Sequence, residues 1–415
     1  MIDLADARRL LLAACPRLEP ALLDSAGADG CVLAADVVAP ADVPPFDNSS
    51  VDGYAVRTSD LAGAAEHSPV RVEVLGSVLA GSVAGQPVGP GQAWKVMTGA
   101  PVPAGADAVV MVEKTSATRE RQLGAPGDRV EVLGEVGPGA GIRRASSDVR
   151  AGEEVLAAGT VLRPAHLGVL ASVGARQISG YRRLRVGVLV TGDELVTDGS
   201  ELRPGQIHES NRAMLLALLA RANCQPVDLG VAGDDVAALQ ERLSSALQRC
   251  DAVLTSGGVS MGDSDPVRAA LDRFGGLTWL QVAIRPAKPF AFGLLPGPAG
   301  PVPVLGLPGN PVSALVSFEL LARPALRHMM GHDDPYGVSI LGIADAPLPR
   351  PHGDGRTAFL RVSCGFGPDG RLHARPVAGQ DSHQLSASAG AGGLAQVKDG
   401  QRVEAGDEVP VLLLS

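Results

Sequence analysis

Three apolar runs, each followed directly by a polar loop that contains glycine, place the strongest constraint on how this chain folds. The runs cover residues 186–190, 252–254 and 302–306. The segments between them alternate, since residues 211–222 and 236–247 have helical spacing whereas residues 226–231 have the composition of a strand. Alternating strands and helices predict a parallel sheet with helices on both faces.

The loops after these runs are expected to share one edge of the sheet, because the carboxyl ends of parallel strands meet there and ligands bind at that edge. The most informative loop covers residues 255–266, where glycines allow backbone N–H groups to approach a ligand closely. Asp263 and Asp265 then lie where a divalent cation can bridge to a phosphate. The alternative is a tight turn in which Asp265 only caps the following helix.

Composition and charge narrow the class of protein. A length of 415 residues suggests roughly three domains. The formal net charge of −9 argues against nonspecific nucleic-acid binding, which requires a basic surface. The five cysteines are scattered without metal-ligand spacing, which fits a reducing compartment. We find no signal-peptide pattern and no apolar stretch long enough for a bilayer, and therefore expect a cytoplasmic protein without a membrane span.

The rest of the chain has mainly β character. Residues 58–135 predict a small β-domain, and the chain after His332 predicts a small β-barrel or sandwich. Asp52 followed by Gly53 is by itself a hairpin signal. Thr98 lies between rigid turns, where it either contacts a ligand or caps a turn.

Two basic segments each allow two interpretations. Arg143 and Arg144 either bind a phosphate or carboxylate group, or lie on a solvated face. Lys288 is flanked by Pro286 and Pro289, which stiffen the backbone and limit where the ammonium group points. It is either a point charge beside a phosphate or an exposed lysine at a strand edge.

Five motifs occur in order along the chain, and together they resemble a known family. They are Pro44-Pro45-Phe46-Asp47-Asn48-Ser49 with Val51-Asp52-Gly53-Tyr54-Ala55, Met97-Thr98-Gly99-Ala100-Pro101, Thr191-Gly192-Asp193-Glu194-Leu195, Ser256-Gly257-Gly258-Val259-Ser260, and Leu307-Pro308-Gly309-Asn310-Pro311. Each motif alone is modest, but five in this order are highly specific. The sequence is similar to the molybdopterin molybdenumtransferases, the MoeA family, which also includes the E domain of gephyrin and its plant counterparts.

The resemblance implies a multi-domain α/β plus β fold. It implies a molybdopterin-binding α/β three-layer sandwich, β-rich hinge and lid domains, and a C-terminal β-barrel. The corresponding ranges are 1–25 and 176–330 for the sandwich, 26–44 and 149–175 for the hinge domain, 45–148 for the lid-like domain, and 331–415 for the barrel. It further implies an elongated homodimer in which the lid domain of one subunit completes the active site of the other.

The chemistry implied by the resemblance belongs to molybdenum cofactor biosynthesis. Family members bind adenylylated molybdopterin, release AMP and insert molybdate into the dithiolene with a divalent cation such as Mg²⁺. Breaking the phosphoanhydride-type bond requires charge neutralisation on the phosphate, and an oxyanion such as molybdate suits basic side chains and loop N–H groups. Other molybdenum-cofactor biosynthesis proteins are possible partners.

The family's functional positions transfer to this chain residue by residue. The implied catalytic positions are Asp52, Thr98, Asp148, Glu194 and Lys288. The implied substrate-binding positions are Ser256, Gly257, Gly258, Ser260, Gly262, Arg285, Pro308, Gly309, Asn310 and Pro311. The implied metal positions are Asp234, Asp265 and Glu194.

The chain departs from the family pattern at several positions. Arg285 and Ala287 stand in a motif that is Lys-Pro-Gly-Lys in many members, and Gln281 replaces a further lysine. Residues 379–385 depart from a more usual Gly-Ser run. Two other functions compete with the transferase. One is a noncatalytic carrier or scaffold for molybdopterin, and the other is a molybdopterin adenylyltransferase, whose fold resembles only the α/β portion.

Overall fold

The computed structural model describes residues 1–117, 123–233, 235–258, 277–349 and 353–414. In these ranges the helices are α1 (Leu4–Ala14), α2 (Pro164–Ser172), α3 (Asn211–Arg221), α4 (Val236–Leu247), α5 (Pro311–Ser317) and α6 (Arg323–Met329). A π-helical turn over Phe318–Ala322 joins the last two helices.

The strands, in chain order, are β1 (Ala21–Asp24), β2 (Val32–Leu33), β3 (Val37–Val38), β4 (Asn48–Ser49), β5 (Gly53–Val56), β6 (Val70–Val78), β7 (Gln92–Val96), β8 (Ala108–Met111), β9 (Arg129–Val132), β10 (Ile142–Arg143), β11 (Glu154–Leu156), β12 (Gln177–Tyr181), β13 (Arg185–Thr191), β14 (Leu195–Val196), β15 (Ile207–His208), β16 (Gln225–Ala232), β17 (Ala252–Ser256), β18 (Leu277–Gln281), β19 (Ile284–Arg285), β20 (Pro289–Gly297), β21 (Gly300–Leu307), β22 (Ser339–Ala344), β23 (Thr357–Phe366), β24 (Leu372–Pro376), β25 (Gly393–Val397) and β26 (Glu408–Leu413).

The central sheet has six strands in the order β16-β13-β17-β21-β20-β18. The first four strands run parallel to one another, whereas β20 pairs antiparallel with both of its neighbours, β21 and β18. Alternating side chains of β13 point to opposite faces, so that Val188 packs with Leu215 of α3 whereas Leu189 packs with Leu243 of α4. Helices therefore cover both faces, which confirms the predicted three-layer α/β sandwich.

The helices that position this sheet begin where the sequence predicts. Residues 236–247 form α4, and the helix predicted over 211–222 is α3. Asp235 caps α4 by accepting hydrogen bonds from the N–H groups of Ala237 (2.7 Å) and Ala238 (3.2 Å). These bonds satisfy donors that have no partner inside the helix. Among the described helices, none is both long and apolar enough to cross a membrane.

A second sheet lies between residues 53 and 132 and has the strand order β8-β5-β7-β6-β9. Its core includes Tyr54, Val74 and Val110, all fully buried. The chain reaches this sheet and returns from it through nested antiparallel pairs: β1 with β12, β3 with β11, and β4 with β10. The β character predicted for residues 58–135 is confirmed.

The C-terminal strands form a closed barrel, because β23-β24-β22-β26-β25 are neighbours in order and β23 also pairs with β25. Closure leaves no free edge in the ring. This confirms the predicted barrel. The domain boundaries given above stay a prediction.

Gly331 follows α6 in a left-handed conformation, with φ at +84°, and lies against the aromatic ring of Tyr181. A Cβ atom built on Gly331 would overlap that ring. Gly152 has the same φ of +84°, but a Cβ built there meets nothing within 4 Å. The two glycines therefore separate the cost of the backbone conformation from the cost of the contact.

We expect Gly331→Ala to lower the thermal midpoint far more than the matched control Gly152→Ala. Both variants carry the cost of a left-handed alanine, roughly 1 kcal/mol. Gly331→Ala adds overpacking against Tyr181, which costs about 1–3 kcal/mol more. Equal midpoints for the two variants in a calorimetric scan would show that the Tyr181 ring moves aside without lowering the stability of the fold.

His332, next in the chain, is 6% exposed. Its Nδ1 lies 3.4 Å from a guanidinium nitrogen of Arg327. Burial, followed by the positive charges of Arg327 and Arg323, lowers the pKa of His332 to about 4, against the opposing charges of Asp333 and Asp334. The folded protein therefore holds this imidazole in its neutral form.

His332 is expected to make the protein sensitive to acid. As the pH falls from 6.5 towards about 4, the unfolded chain binds a proton at His332 that the folded chain does not, so that unfolding becomes easier. In His332→Asn the thermal midpoint should fall less over this range than in the parent. His67→Asn is the control, because His67 is exposed. Parallel curves for the His332 variant and the parent would contradict the assignment.

Candidate functional site

Four loops meet at the carboxyl edge of the central sheet. The register places Thr191 beside Ala232, Val190 beside Ser256, and Ser256 beside Leu307. These residues lie at the ends of parallel strands, so the loops after β13, β16, β17 and β21 leave the sheet side by side. The gathering of the glycine-bearing loops at one edge is as the sequence predicts.

The side-chain amide of Asn211 joins two of these loops. Asn211 Nδ2 donates to Ser256 Oγ (2.9 Å) and to the carbonyl oxygen of Gly309 (2.7 Å). Ser256 Oγ in turn donates to the carbonyl oxygen of Pro308 (3.3 Å). Asn211 is 7% exposed and Ser256 is fully buried. This network fixes the end of β17 against the loop after β21.

Asn211 is a residue that sequence reasoning missed. It is the first residue of α3, and a polar residue at a helix start has an ordinary explanation as a cap. The sequence feature that could have identified Asn211 is its position, directly after the β14–β15 segment and at the start of an apolar helix. Its Oδ1 is buried and accepts no hydrogen bond within the part of the chain that the structure describes.

Gly257 and Gly258 form the turn that follows β17. Both have positive φ, at +97° and +68°. A Cβ built on Gly257 would lie 2.7 Å from both the carbonyl and hydroxyl oxygens of Thr191, so only glycine fits at this position. Gly309 lies on the other side, where its Cβ would be 3.7 Å from the Cα of Gly257. The turn is therefore enclosed by the loops after β13 and β21.

Two carboxylates lie at the rim formed by the loops after β13 and β16. A Cβ built on Gly192 would lie 2.5 Å from Glu194 Oε2, and one built on Gly233 would lie 2.6 Å from Asp193 Oδ1. Both acidic residues are exposed. Within the described ranges no group of three or more His, Cys, Asp or Glu side chains is arranged to hold a metal ion.

Several predicted site residues cannot be placed. Asp234, Ser260, Gly262 and Asp265 lie outside the described residues. The metal positions predicted at Asp234 and Asp265 therefore remain predictions from the sequence.

Asp52, directly before β5, and Thr98, just after β7, form a pair at one end of the second sheet. Asp52 Oδ1 accepts hydrogen bonds from the backbone N–H of Thr98 (2.7 Å) and from its hydroxyl group (2.8 Å). These two bonds, together with the positive charge of Lys95, lower the pKa of Asp52. The carboxylate is therefore ionised at neutral pH, and Thr98 holds it with both its backbone and its side chain.

Arg143 and Arg144, at the end of β10, pair with the first sequence motif, at β4. Arg144 donates to Asp47 Oδ2 (2.7 Å), and Arg143 donates to Asn48 Oδ1 (3.4 Å). Arg144 thus neutralises a carboxylate of its own chain. The Asp148 side chain is exposed, and its backbone N–H donates to the carbonyl of Val43 (3.0 Å).

Lys288 and Arg285 lie between β18 and β20. The carbonyl of Lys288 accepts a hydrogen bond from the N–H of Val282 (2.8 Å), which closes the loop. Ala287 between them is buried and has φ at +80°, a conformation that costs a residue with a side chain roughly 1–2 kcal/mol. The loop is therefore held in one shape by its surroundings, with Lys288 half-buried and Arg285 exposed.

The loop after β21 also contacts the C-terminal barrel. Asn310 Nδ2 donates to Ser382 Oγ (3.1 Å), and the N–H of Val312 donates to the carbonyl of Ser382 (3.1 Å). The structure thus brings Ser256, the glycine turn, residues 308–311 and the barrel together. Within the described residues, no hydrogen bond or ion pair joins Asp52 or Thr98 to this edge.

Three family models match consecutive parts of the chain. They are described as the MoeA N-terminal region (domain I and II) over residues 2–174, a probable molybdopterin binding domain over residues 187–328, and the MoeA C-terminal region (domain IV) over residues 344–414.

Curated proteins and a solved structure are similar to most or all of this chain. Molybdopterin molybdenumtransferase 2 of Mycobacterium tuberculosis is 40% identical over 366 residues, covering 85% of this chain and 87% of its own. The molybdopterin molybdenumtransferase of Bacillus subtilis is 33% identical, covering 92% and 87%. The crystal structure of the molybdopterin biosynthesis MoeA protein from Pyrococcus horikoshii superposes with a TM-score of 0.77 at 29% identity, covering 100% of this chain and 99% of that one.

We expect Asn211→Ala to destabilise the edge of the sheet. The change removes the donor to the fully buried Ser256 hydroxyl, which costs about 1–3 kcal/mol, and the donor to the Gly309 carbonyl. Ser210→Ala is the control, because Ser210 precedes it and its side chain makes no capping hydrogen bond. Thermal midpoints test the difference, and an Asn211 variant as stable as the Ser210 variant would rule out the network as a structural link.

Proposed function

The chain belongs to the MoeA family of molybdopterin molybdenumtransferases, and from this premise we propose that it acts on adenylylated molybdopterin. The enzyme is a transferase of molybdenum cofactor biosynthesis. In the proposed reaction it hydrolyses the adenylate, releases AMP and inserts molybdenum from molybdate into the dithiolene, with Mg²⁺ as the divalent cation.

The observation that carries this proposal is the enclosed turn at Gly257 and Gly258. The turn lacks Cβ atoms, lies between the loops after β13 and β21, and is fixed by Asn211. The missing Cβ of Gly257 lets the turn pack against Thr191 and so fixes its shape. A glycine turn at the carboxyl end of a parallel strand is a common place for a phosphate or a planar ligand to bind. The buried Oδ1 of Asn211, which accepts no hydrogen bond from the described residues, is an acceptor of the kind that ring N–H groups require.

The oxygen donors at the rim suit Mg²⁺, which prefers carboxylates and keeps several waters. Glu194 and Asp193 are exposed there, and Asp234 directly follows Gly233. We propose Glu194, Asp234 and Asp265 as the residues that hold the ion. When bound, Mg²⁺ neutralises negative charge on the phosphate.

The basic residues of the β18–β20 loop supply fixed positive charge. We propose that Lys288, held by the rigid backbone around Ala287, and Arg285 attract molybdate and the phosphate. Arg285 can bind an oxyanion in a bidentate manner, which the lysine of other members cannot. Asp148 is proposed as a further acidic residue of the reaction.

Asp52 is proposed to act as a permanently ionised acceptor that orients water or substrate. Its lowered pKa makes it a weak base, so that it is better suited to holding a proton donor in place than to removing its proton. Asp52 and Thr98 lie at one end of the second sheet, and no hydrogen bond among the described residues joins them to the edge they would serve. We therefore propose a homodimer in which this pair of one protomer reaches the sheet edge of its partner.

The test is AMP release from adenylylated molybdopterin, measured with Mg²⁺ and with or without molybdate. Release that depends on molybdate supports the transferase reaction. Tight binding without release, under conditions where a known family member turns over, would replace it with the noncatalytic carrier. Such a result would direct attention to Gln281 and Arg285.

Asp52→Asn should lower kcat/KM by about 10²-fold or more, because the side chain loses the charge that orients the reactants. Asp107→Asn is a closely matched control. Asp107 also accepts the backbone N–H (2.7 Å) and hydroxyl (2.7 Å) of a threonine, Thr58. If the two variants lose activity equally, Asp52 has no special part in the reaction.

A further inference from the structure

A cavity of about 480 Å³ lies at the edge of the central sheet opposite the candidate site. Arg185 and Gln225, neighbours at the amino-terminal ends of β13 and β16, form part of its wall. The seven residues of β13 separate it from Thr191, a distance of roughly 20 Å at about 3.3 Å per residue. We call this cavity the arginine cleft, and the lining residues that matter here are Asp24, Cys31, Arg182, Arg183, Arg185 and Gln225.

The arginine cleft lies at a junction between two parts of the molecule with separate cores. Ala28 and Cys31, on one wall, pack in a small core with residues of β2 and α2. Leu184, which lies between two arginines of the other wall, packs in the core of the central sheet. The segment between β12 and β13 crosses from one core to the other. A ligand in the cleft therefore contacts both sides of the junction.

Two of the three arginines in the cleft share one carboxylate. Arg182 donates to both oxygens of Asp251, at 2.7 Å and 2.8 Å. Arg185 lies 3.4 Å from Asp251 Oδ1 through its side chain, and its backbone N–H donates to Oδ2 (2.7 Å). One negative charge thus fixes two guanidinium groups in place, and one positive charge of this group stays unbalanced.

The third arginine, Arg183, forms an ion pair with no carboxylate among the described residues. Its Nη2 donates to the backbone carbonyl of Asp29 (2.9 Å), a contact that neutralises no charge. Burial raises the pKa of the neighbouring Cys31 thiol, against the positive charge of Arg183, so the thiol is a neutral part of the wall. The three arginines and Asp251 therefore present two net positive charges, which Asp24 opposes from the other wall.

The cleft also offers polar groups that carry no positive charge. Asp24 Oδ1 accepts the N–H of Ala26 (3.1 Å), whereas its Oδ2 accepts no hydrogen bond from the part of the chain that the structure describes. The Gln225 side chain is exposed, and only its backbone N–H is used, in a bond to the carbonyl of Leu184 (2.7 Å). A carboxylate oxygen and an amide group are suitable partners for hydroxyl groups.

We propose that the arginine cleft is a second ligand site, which binds a phosphate monoester whose body carries hydroxyl groups, such as a sugar phosphate. The phosphate lies among the three arginines, whose planar forks suit its oxygens, and the hydroxyl groups contact Asp24 and Gln225. The volume lies within the range of about 300–1,000 Å³ that is usual for small-molecule sites. Because the ligand contacts both walls, it stabilises one arrangement of the junction.

Calorimetric titration of the full-length protein at constant ionic strength tests the site, with ribose 5-phosphate and inorganic phosphate as probes. We expect ribose 5-phosphate to bind at least about 10-fold more tightly, because the hydroxyl groups add hydrogen bonds. Equal affinities would overturn the assignment of a monoester. Absence of binding by both probes would overturn the site itself.

Arg183→Met should weaken the binding of both probes by about 10-fold or more, because it removes a charged donor. Arg176→Met is the matched control, since Arg176 is an exposed arginine directly before β12 that does not line the cleft. Lys288→Met tests the candidate site instead, and both probes should still bind it with the affinity of the parent. Binding that is lost in the Lys288 variant and kept in the Arg183 variant would refute the proposal.

Gln225→Ala keeps the test decisive if the Arg183 variant fails to fold. It should weaken the binding of ribose 5-phosphate and leave that of inorganic phosphate unchanged, because Gln225 contacts only the hydroxyl groups. An unchanged affinity for ribose 5-phosphate would contradict the proposed pose.

Hydrogen exchange locates the ligand and does not require activity. Saturating ribose 5-phosphate should slow exchange at the amides of Ala26 and Arg185, which donate to Asp24 and Asp251 at the cleft. The amide of Val312, at the candidate site, should be unaffected. Slower exchange at Val312 without a change at Ala26 would place the ligand at the candidate site and overturn the proposal.

Discussion

The parallel pairing of β13, β17 and β21 is the constraint on which the candidate site depends. Parallel strands require helical crossovers, and the helices bury both faces of the sheet. Polar side chains therefore have no place along these strands and collect where the strands end. Asn211 shows the result, since one amide group satisfies a hydroxyl and a carbonyl from two different loops. The polar edge is thus a consequence of an apolar sheet.

Buried charge is handled in two different ways in this molecule. Glu319 and Arg323 form a buried ion pair (2.8 Å) within one helical segment; burial raises the pKa of Glu319, and the positive charge of Arg323 opposes that shift. Arg361 instead donates mainly to carbonyl oxygens of a distant segment. The ion pair joins residues one helical turn apart and therefore stabilises a helix that local hydrogen bonds already define. The carbonyl contacts of Arg361 instead fix the conformation of a loop that has little regular structure of its own.

Sequence reasoning recovered what depends on local pattern. Helical periodicity predicted α3 and α4, and apolar runs predicted β13, β17 and β21. Both signals depend only on residues that are close together in the sequence. It failed where partners lie far apart. Asp52 and Thr98 were each singled out, but their mutual hydrogen bonds join residues 46 positions apart. Arg361 gave no signal at all, because an arginine in an alternating strand normally faces solvent. The hairpin signal at Asp52-Gly53 was wrong, since β4 pairs with β10 while β5 joins another sheet.

The nested antiparallel pairs that lead to the second sheet have a consequence for how the chain folds. Asn48 lies opposite Arg143, and Ala21 lies opposite Gly180, so each pair closes a long loop of chain. Closing such a loop has an entropic cost before any contact offsets it, and folding is slow when many contacts are of this kind. A sheet that collapses first within residues 53–132 shortens the effective loop. We therefore expect the inner sheet to form early and the outer pairs to join afterwards, from the inside outwards.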